Sequence, residues 1–190
     1  MTQFGFVLGN GKTRLQVDPA HLKSVGRLYV CNRAAEEMVY DVCVAVDKEI
    51  SAELQQKGYT VHTRSNALHT PYAVKIQKNA GWSSGPVATT IAAQNGHAYI
   101  FLIGMDLISD TKYVNNIYAD TKYYKTSDAT AIAHANWVSQ IDTLLREYTS
   151  QRFIHVNPLC GYTPEQWCRH KNFQTMTLAQ FETMINNTTE

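Results

Sequence analysis

The chain alternates short apolar runs with stretches of helical spacing. Phe4-Gly5-Phe6-Val7-Leu8 is a compact apolar run, and Gly9-Asn10-Gly11 breaks it. Asp18-Pro19 has the chemistry of a helix start, an N-cap acceptor before a proline at the first helical position, and Gly26 ends that helix. Arg27 to Cys31 predicts a second strand and Ala34 to Met38 a brief helix. Asp41 to Val46 predicts a third strand, which lacks alternation as strands buried on both faces do. Asp47 can cap the next helix, with Ile50 and Leu54 on one face and Gly58 past its end. Tyr59 to Thr63 and Tyr72 to Ile76 are weaker strands.

Ser83-Ser84-Gly85-Pro86 starts a helix that runs to Asn95 and is closed by Gly96. Its small face, Ala88, Ala92 and Ala93, suits close packing on a sheet. His97 to Ile103 is the strongest strand and leads into Gly104-Met105-Asp106. Ser109 to Asp128 is polar and rich in Tyr, and a long loop outside the core is expected there. From Ala129 to Tyr148 the spacing of Val138, Ile141, Leu145 and Tyr148 predicts a helix. Arg152 to Val156 predicts the last strand. Two capping boxes follow, at Thr163 to Gln166 and Thr177 to Gln180; the second opens a terminal helix with Phe181, Met184 and Ile185 inward.

Strands alternating with helices imply parallel pairing through crossovers. The expected fold is α/β and Rossmann-like, a mostly parallel sheet with helices on both faces. Residues 1–158 are expected to form that domain, and 159–190 a helical extension packed on it. In such sheets ligands bind beyond the carboxyl ends of the strands. Gly9-Asn10-Gly11, Asn32, Asp47 and Gly104 to Asp106 should therefore gather along one edge.

Composition narrows the function classes. The 190 residues suit one domain or one with a small appendage. A 44% hydrophobic and 17% charged chain is not a disordered one. Lys and Arg number 17 against 16 Asp and Glu, so no basic field argues for duplex nucleic acid as a partner. No apolar run reaches the roughly 18 residues of a membrane helix, and the N-terminus lacks a charged leader pattern. A soluble, cytoplasmic protein without a membrane partner is expected. Cys160 and Cys168 lie near His155 and His170, but the spacing is not that of a zinc site.

Each candidate residue has a functional and a plainer reading. Gly9, Asn10 and Gly11 can cradle an anion with backbone N–H groups, helped by Lys12 and Arg14, or form only a tight turn. Asn32 can read a base or sugar edge, or cap a helix. Ser84 and Gly85 open a helix whose free N–H groups favour anions, or merely begin it. Asp106 can face the site or cap a turn. His134 can act as a general base, as only a side chain titrating near neutrality does readily, or lie inert near a helix start.

Together these segments resemble a known superfamily. Val7-Leu8-Gly9-Asn10-Gly11, the Asp18-led helix and Tyr29-Val30-Cys31-Asn32 resemble the opening of bacterial lipooligosaccharide sialyltransferases. Ser84-Gly85, the small-residue helix, Gly96, Tyr99 to Gly104 and Asp106 follow the order of that superfamily, which also contains archaeal hydroxymethylpterin pyrophosphokinase. Gly81 to Pro86, Asn115 to Asp120 and Asn136-Trp137 resemble uncharacterised proteins of tailed phages. The resemblance covers roughly residues 4 to 158 and implies a phage-encoded member acting in the host cytoplasm.

The resemblance implies that Gly9, Asn10, Gly11 and Asn32 hold a nucleotide, with Ser84 and Gly85 lining the site. It implies a catalytic His near His134, with no metal required. Where the family has Pro-Ser after the loop, this chain has Lys12-Thr13.

The first functional reading is a nucleotide or nucleotide-sugar binder, open to homo-oligomer formation, that transfers a sugar if it is an enzyme. His134 or Asp106 would deprotonate the acceptor, and Tyr118 with its neighbouring tyrosines would close over the ligand or form an ordered surface loop. A non-enzymatic binder of a nucleotide, signalling molecule or host protein is the second reading. A pyrophosphokinase-like enzyme using Mg²⁺ on Asp47 and Asp106 is the third. On this view, replacing Gly11 with Val should cost affinity more than stability.

Overall fold

The computed structural model describes residues 3–131 and 134–187. Among them the apolar runs become strands β1 (Phe4–Leu8), β2 (Arg27–Cys31), β3 (Val42–Val44), β4 (Val61–Thr63), β5 (Ala73–Lys75), β6 (Tyr99–Ile103), β7 (Arg152–Val156) and β8 (Phe173–Met176). They form one parallel sheet in the order β5-β4-β3-β2-β1-β6-β7-β8. The chain steps outward from β1 to β5, then returns across the sheet to place β6 on the other side of β1. The strand order therefore reverses between β1 and β6.

Helices cover both faces, as the α/β pattern requires. Helix α1 (Pro19–Val25), α2 (Lys48–Gln56) and α6 (Leu178–Asn186) bury Leu22, Ile50, Leu54, Phe181 and Ile185 against Phe6, Leu8, Val30 and Cys43. Helix α3 (Ser84–Gln94), α4 (Ala135–Glu147) and α5 (Glu165–Cys168) cover the opposite face, where Val87, Ala88, Ile141 and Trp167 pack on Val7, Tyr29, Val44 and Phe153. Alternate residues of β1 thus serve opposite cores, and a strand buried on both faces shows no polar alternation. Fully burying each of these large side chains contributes roughly 1.5–3 kcal/mol.

Local signals explain the helix starts. The Asp18 carboxylate accepts from the Ala20 amide at 3.0 Å, with Pro19 at the first position. Thr177 and Gln180 form the reciprocal capping box. The Thr163 box does not form: α5 starts after Pro164, and the Thr163 hydroxyl is buried without a partner.

Three other expectations are corrected. The helix expected from Ala129 begins at Ala135. Thr130 instead bridges Tyr113, and the Ala129 carbonyl accepts from Val114, so this segment is held as an extended flank of the long loop. Residues 132 and 133 of that expected helix lie outside the described residues. The brief helix expected at Ala34–Met38 is a 3-10 turn over Asn32–Glu36. The extension from 159 is not purely helical, because Phe173–Met176 pairs with β7 and extends the sheet. No helix among the described residues is long and apolar enough to cross a membrane.

Candidate functional site

A cleft of about 380 Å³ opens beyond the carboxyl ends of the strands. The residues that follow β4, β3, β2, β1 and β6 all contribute: Arg64, Asp47, Asn32, Gly9 to Gly11, and Gly104 with Asp106. These are five adjacent strands. At about 4.8 Å per strand the edge is about 19 Å long. It includes the point of reversal between β1 and β6, where open α/β sheets bind ligands.

The turn after β1 is held differently from an anion-binding loop. The Gly9 amide donates to the Ile103 carbonyl at 2.8 Å and the Gly11 amide to the Gly104 carbonyl at 2.9 Å. The Lys12 amide donates to Asn115 Oδ1 at 3.0 Å, and the Thr13 amide to Asp106 Oδ2 at 3.3 Å. The expected convergence of the Gly9 and Gly11 amides on an anion is therefore corrected: these N–H groups stitch β1 to β6. A Cβ on Gly11 would come within 2.3 Å of the Asp106 carboxylate and 2.8 Å of the Gly104 carbonyl. Gly104 has φ +69°, and a Cβ there would meet Arg14 at 2.8 Å. Glycine is required at both places for the two turns to approach, so the steric conflict of Gly11→Val falls on the fold itself, where the sequence placed its main cost on affinity.

Asp106 is buried and bonded through both oxygens. It accepts from the Thr13 hydroxyl and amide, and from Asn115 Nδ2 at 2.8 Å. It lines the cleft as a bracket that ties the two turns together, with both carboxylate oxygens accepting internal hydrogen bonds. Lys12 does not line the cleft; its ammonium pairs with the exposed Asp110 at 3.0 Å. Tyr118 is also outside it. Its buried hydroxyl takes a 2.8 Å bond from Arg14 and donates to Glu37 at 2.9 Å. Arg14 in turn is buried, bonded to Asn10 Oδ1 at 3.0 Å and paired with Glu37 at 3.2 Å. Neither Lys12 nor Arg14 offers free charge to the site.

The remaining expected residues come together. Asn32 sits at φ +55°, a conformation that Asn tolerates better than most residues. Its Oδ1 accepts from Ser84 Oγ at 3.4 Å, and Ser84 Oγ accepts from the Val46 amide at 3.2 Å. This chain fixes the start of α3 to the ends of β2 and β3. Gly85 follows on the cleft wall, where a Cβ would lie 3.2 Å from Met105 and 3.3 Å from Trp137. His134 precedes α4 on the same wall, its ring 5.2 Å from that of Trp137, and burial lowers its pKa below the usual histidine value. Burial thus favours its neutral form.

Four cleft amides share one polarity. Internal donors occupy the oxygens of Asn10, Asn32, Asn116 and Gln140; the last two accept from the Tyr118 amide at 2.9 Å and the Ser83 amide at 3.2 Å. Their NH₂ groups donate to none of the described residues. These four amides consequently offer donors, which suit the acceptors of a ligand, while the Asp47 carboxylate on the same cleft offers acceptors. Tyr124 adds a buried hydroxyl without a partner at hydrogen-bond geometry, its pKa pushed up to about 12 by burial. Cys31 also lines the cleft, but burial pushes its thiol up to about 12, which makes it a poor nucleophile. Among the described residues no three His, Cys, Asp or Glu side chains gather as a metal-binding group.

Sequence reasoning missed Arg64 and Gln140. Arg64 follows β4 directly, so the rule that selects Asn32 selects it too; the strand Tyr59 to Thr63 is expected, but its end is not carried to the site. Gln140 lies inside α4, and no local pattern marks it. No family model, curated protein or solved structure matches the chain.

Proposed function

We propose that the chain binds a nucleotide or nucleotide sugar in the cleft at the strand ends. The observation that carries this reading is the set of amide NH₂ groups turned to one cleft that includes the reversal between β1 and β6. Phosphate and base carbonyls supply acceptors for such donors, and the first turn of α3 adds N–H groups and a favourable dipole beside Ser84 and Gly85. The cleft has the size of a small-ligand site, and Trp82 and Trp137 give it aromatic surface. The resemblance of Val7 to Gly11 and of Asn32 to the sialyltransferase opening supports the same ligand class. A thermal-shift screen of nucleotides and nucleotide sugars tests it, because a ligand that binds only the folded chain raises its melting temperature.

Sugar transfer is the second reading, and the placement of His134 favours it. A neutral imidazole on the cleft wall can take the proton of an acceptor hydroxyl as the donor phosphate leaves. The amide donors and the α3 start would stabilise the charge that develops on that phosphate. Asp106 is not assigned the base role, since its carboxylate already accepts from Thr13 and Asn115.

A further inference from the structure

The two most exposed large apolar side chains among the described residues share one groove. Leu15 is 71% exposed and Val39 75%, whereas the other exposed large apolar and aromatic side chains described range from 39% to 45%. Both line a groove of about 740 Å³ with Val17, Pro19, Ala20 and Met38, and no residue that lines it also lines the cleft. Helix α1 faces the groove with Pro19, Ala20, Lys23 and Ser24, while Leu22 points into the core. Ala20 and Ser24 are small, exposed and one turn apart, so a second backbone can approach them closely. The charged lining is balanced: Arg14 and Lys23 against Asp18 and Glu37. Arg14 pairs with Glu37 and Lys23 with Asp41, each at 3.2 Å. The groove thus lacks the surplus of Lys and Arg that an anionic membrane or a nucleic acid recruits.

We propose that this groove is the interface of a symmetric dimer, and that its occupant is the same face of a second copy of the chain. Contiguous exposed apolar surface with a polar rim marks an interaction site. A two-fold interface must carry its own complement, and α1 does. Asp18 caps its start and Lys23 lies in its last turn, five residues or about 7.5 Å apart along the axis. Two α1 helices packed antiparallel about a two-fold axis bring Asp18 to Lys23 of the partner subunit, and Lys23 to Asp18 of the partner subunit. Each group has capacity left for that contact: one Asp18 oxygen accepts from the Ala20 amide, and the Lys23 ammonium meets Asp41 with one of its three N–H groups. Leu15 and Val39 supply the apolar surface that leaves water. The dimer also covers the Glu37 side chain, which is 50% exposed and accepts from Arg14 and Tyr118. Excluding water there strengthens the contacts that hold the long loop.

Sedimentation equilibrium from about 1 to about 100 μM chain tests this, the range over which a micromolar interface fills. Wild type should pass from one chain mass to two, and its melting temperature should rise with concentration. Leu15→Asp and Val39→Asp alter exposed side chains, and each should weaken the dimer about thirtyfold or more without changing the circular dichroism of the monomer. Asp18→Lys and Lys23→Glu each set like charges against one another across the two-fold axis, so each variant alone should stay monomeric. Mixing the two should restore a heterodimer, because the altered faces complement each other. Wild type that remains monomeric at about 100 μM overturns the proposal; if that monomer sediments with phosphatidylglycerol vesicles, the occupant of the groove is a membrane instead. A wild-type dimer that Leu15→Asp and Val39→Asp leave intact puts the interface elsewhere and also overturns it. A mixture of the two folded charge variants that stays monomeric overturns the antiparallel pairing of α1. Wild type and the two apolar-site variants decide the matter even if the charge variants do not fold.

Discussion

The Arg14 guanidinium donates to the Tyr118 hydroxyl at 2.8 Å, joining the turn after β1 to the middle of the long loop between β6 and α4. The Arg14 guanidinium carbon also lies 5.1 Å from the centre of the Tyr118 ring. This contact holds the loop in place and leaves the hydroxyl no freedom to meet a ligand. Tyr118→Phe should therefore lower stability by about 1–2 kcal/mol, the usual cost of removing one partner of a buried hydrogen bond. Nucleotide affinity should stay the same. Denaturant unfolding and calorimetry on the same variant measure both; a large loss of affinity at unchanged stability would return Tyr118 to the binding site.

Gly11→Ala should act on folding before it acts on binding. The added methyl meets a carboxylate and a carbonyl, both fixed by the bonds that join the two turns. A loss of about 1–3 kcal/mol is expected from such overpacking. A variant as stable as wild type in thermal melting would show that the β1 and β6 turns separate easily.

His155 makes stability depend on acidity. Its Nε2 meets the Met105 carbonyl at 3.1 Å, which only a protonated Nε2 can satisfy, and its Nδ1 is buried without a partner. Burial lowers the pKa from 6.5 to about 4. The unfolded chain binds the proton first, so the folded state is fully favoured above pH 6.5 and loses stability as pH falls toward 4. The total is about 3 kcal/mol. Melting temperature should fall across that window in wild type and fall less in His155→Gln. Parallel profiles for the two proteins would remove His155 as the cause.

If the chain transfers sugar, His134→Ala should slow turnover by roughly 10²–10⁴ and leave nucleotide affinity intact. Because burial lowers the His134 pKa, the wild-type rate should hold at pH 7 and fall only below the usual histidine range. Equal losses of rate and affinity in a kinetic and calorimetric comparison would make His134 a packing residue beside Trp137.

The fold was largely legible because its signals are local. The strong runs at Phe4–Leu8, Tyr99–Ile103 and Phe153–Val156 are buried on both faces, and Asp18 and Thr177 cap helices as their neighbours in sequence suggest. The edge strand Phe173–Met176 escaped because Gln174 and Thr175 face solvent, so no apolar run marks it. The strand-end rule brought Gly9, Asn32, Asp47 and Asp106 to one cleft. It could not show that Asp106 and the Gly11 amide are spent on each other's turns, since those bonds join residues more than 90 positions apart. Lys12 misled for the same reason: its partner, Asp110, lies 98 positions away.

Asn32→Asp turns one cleft donor toward a nucleotide into an acceptor. The substitution keeps the size of the side chain, its tolerance of positive φ and the oxygen that accepts from Ser84, while an acceptor replaces the NH₂ group. Calorimetric titration with the nucleotide that gives the largest thermal shift should show measurable binding to wild type. The Asn32→Asp protein should lose about 1–3 kcal/mol of affinity with its fold intact. No nucleotide binding to wild type at millimolar concentration, or equal binding by both proteins, would mean that the cleft amides do not recognise a nucleotide.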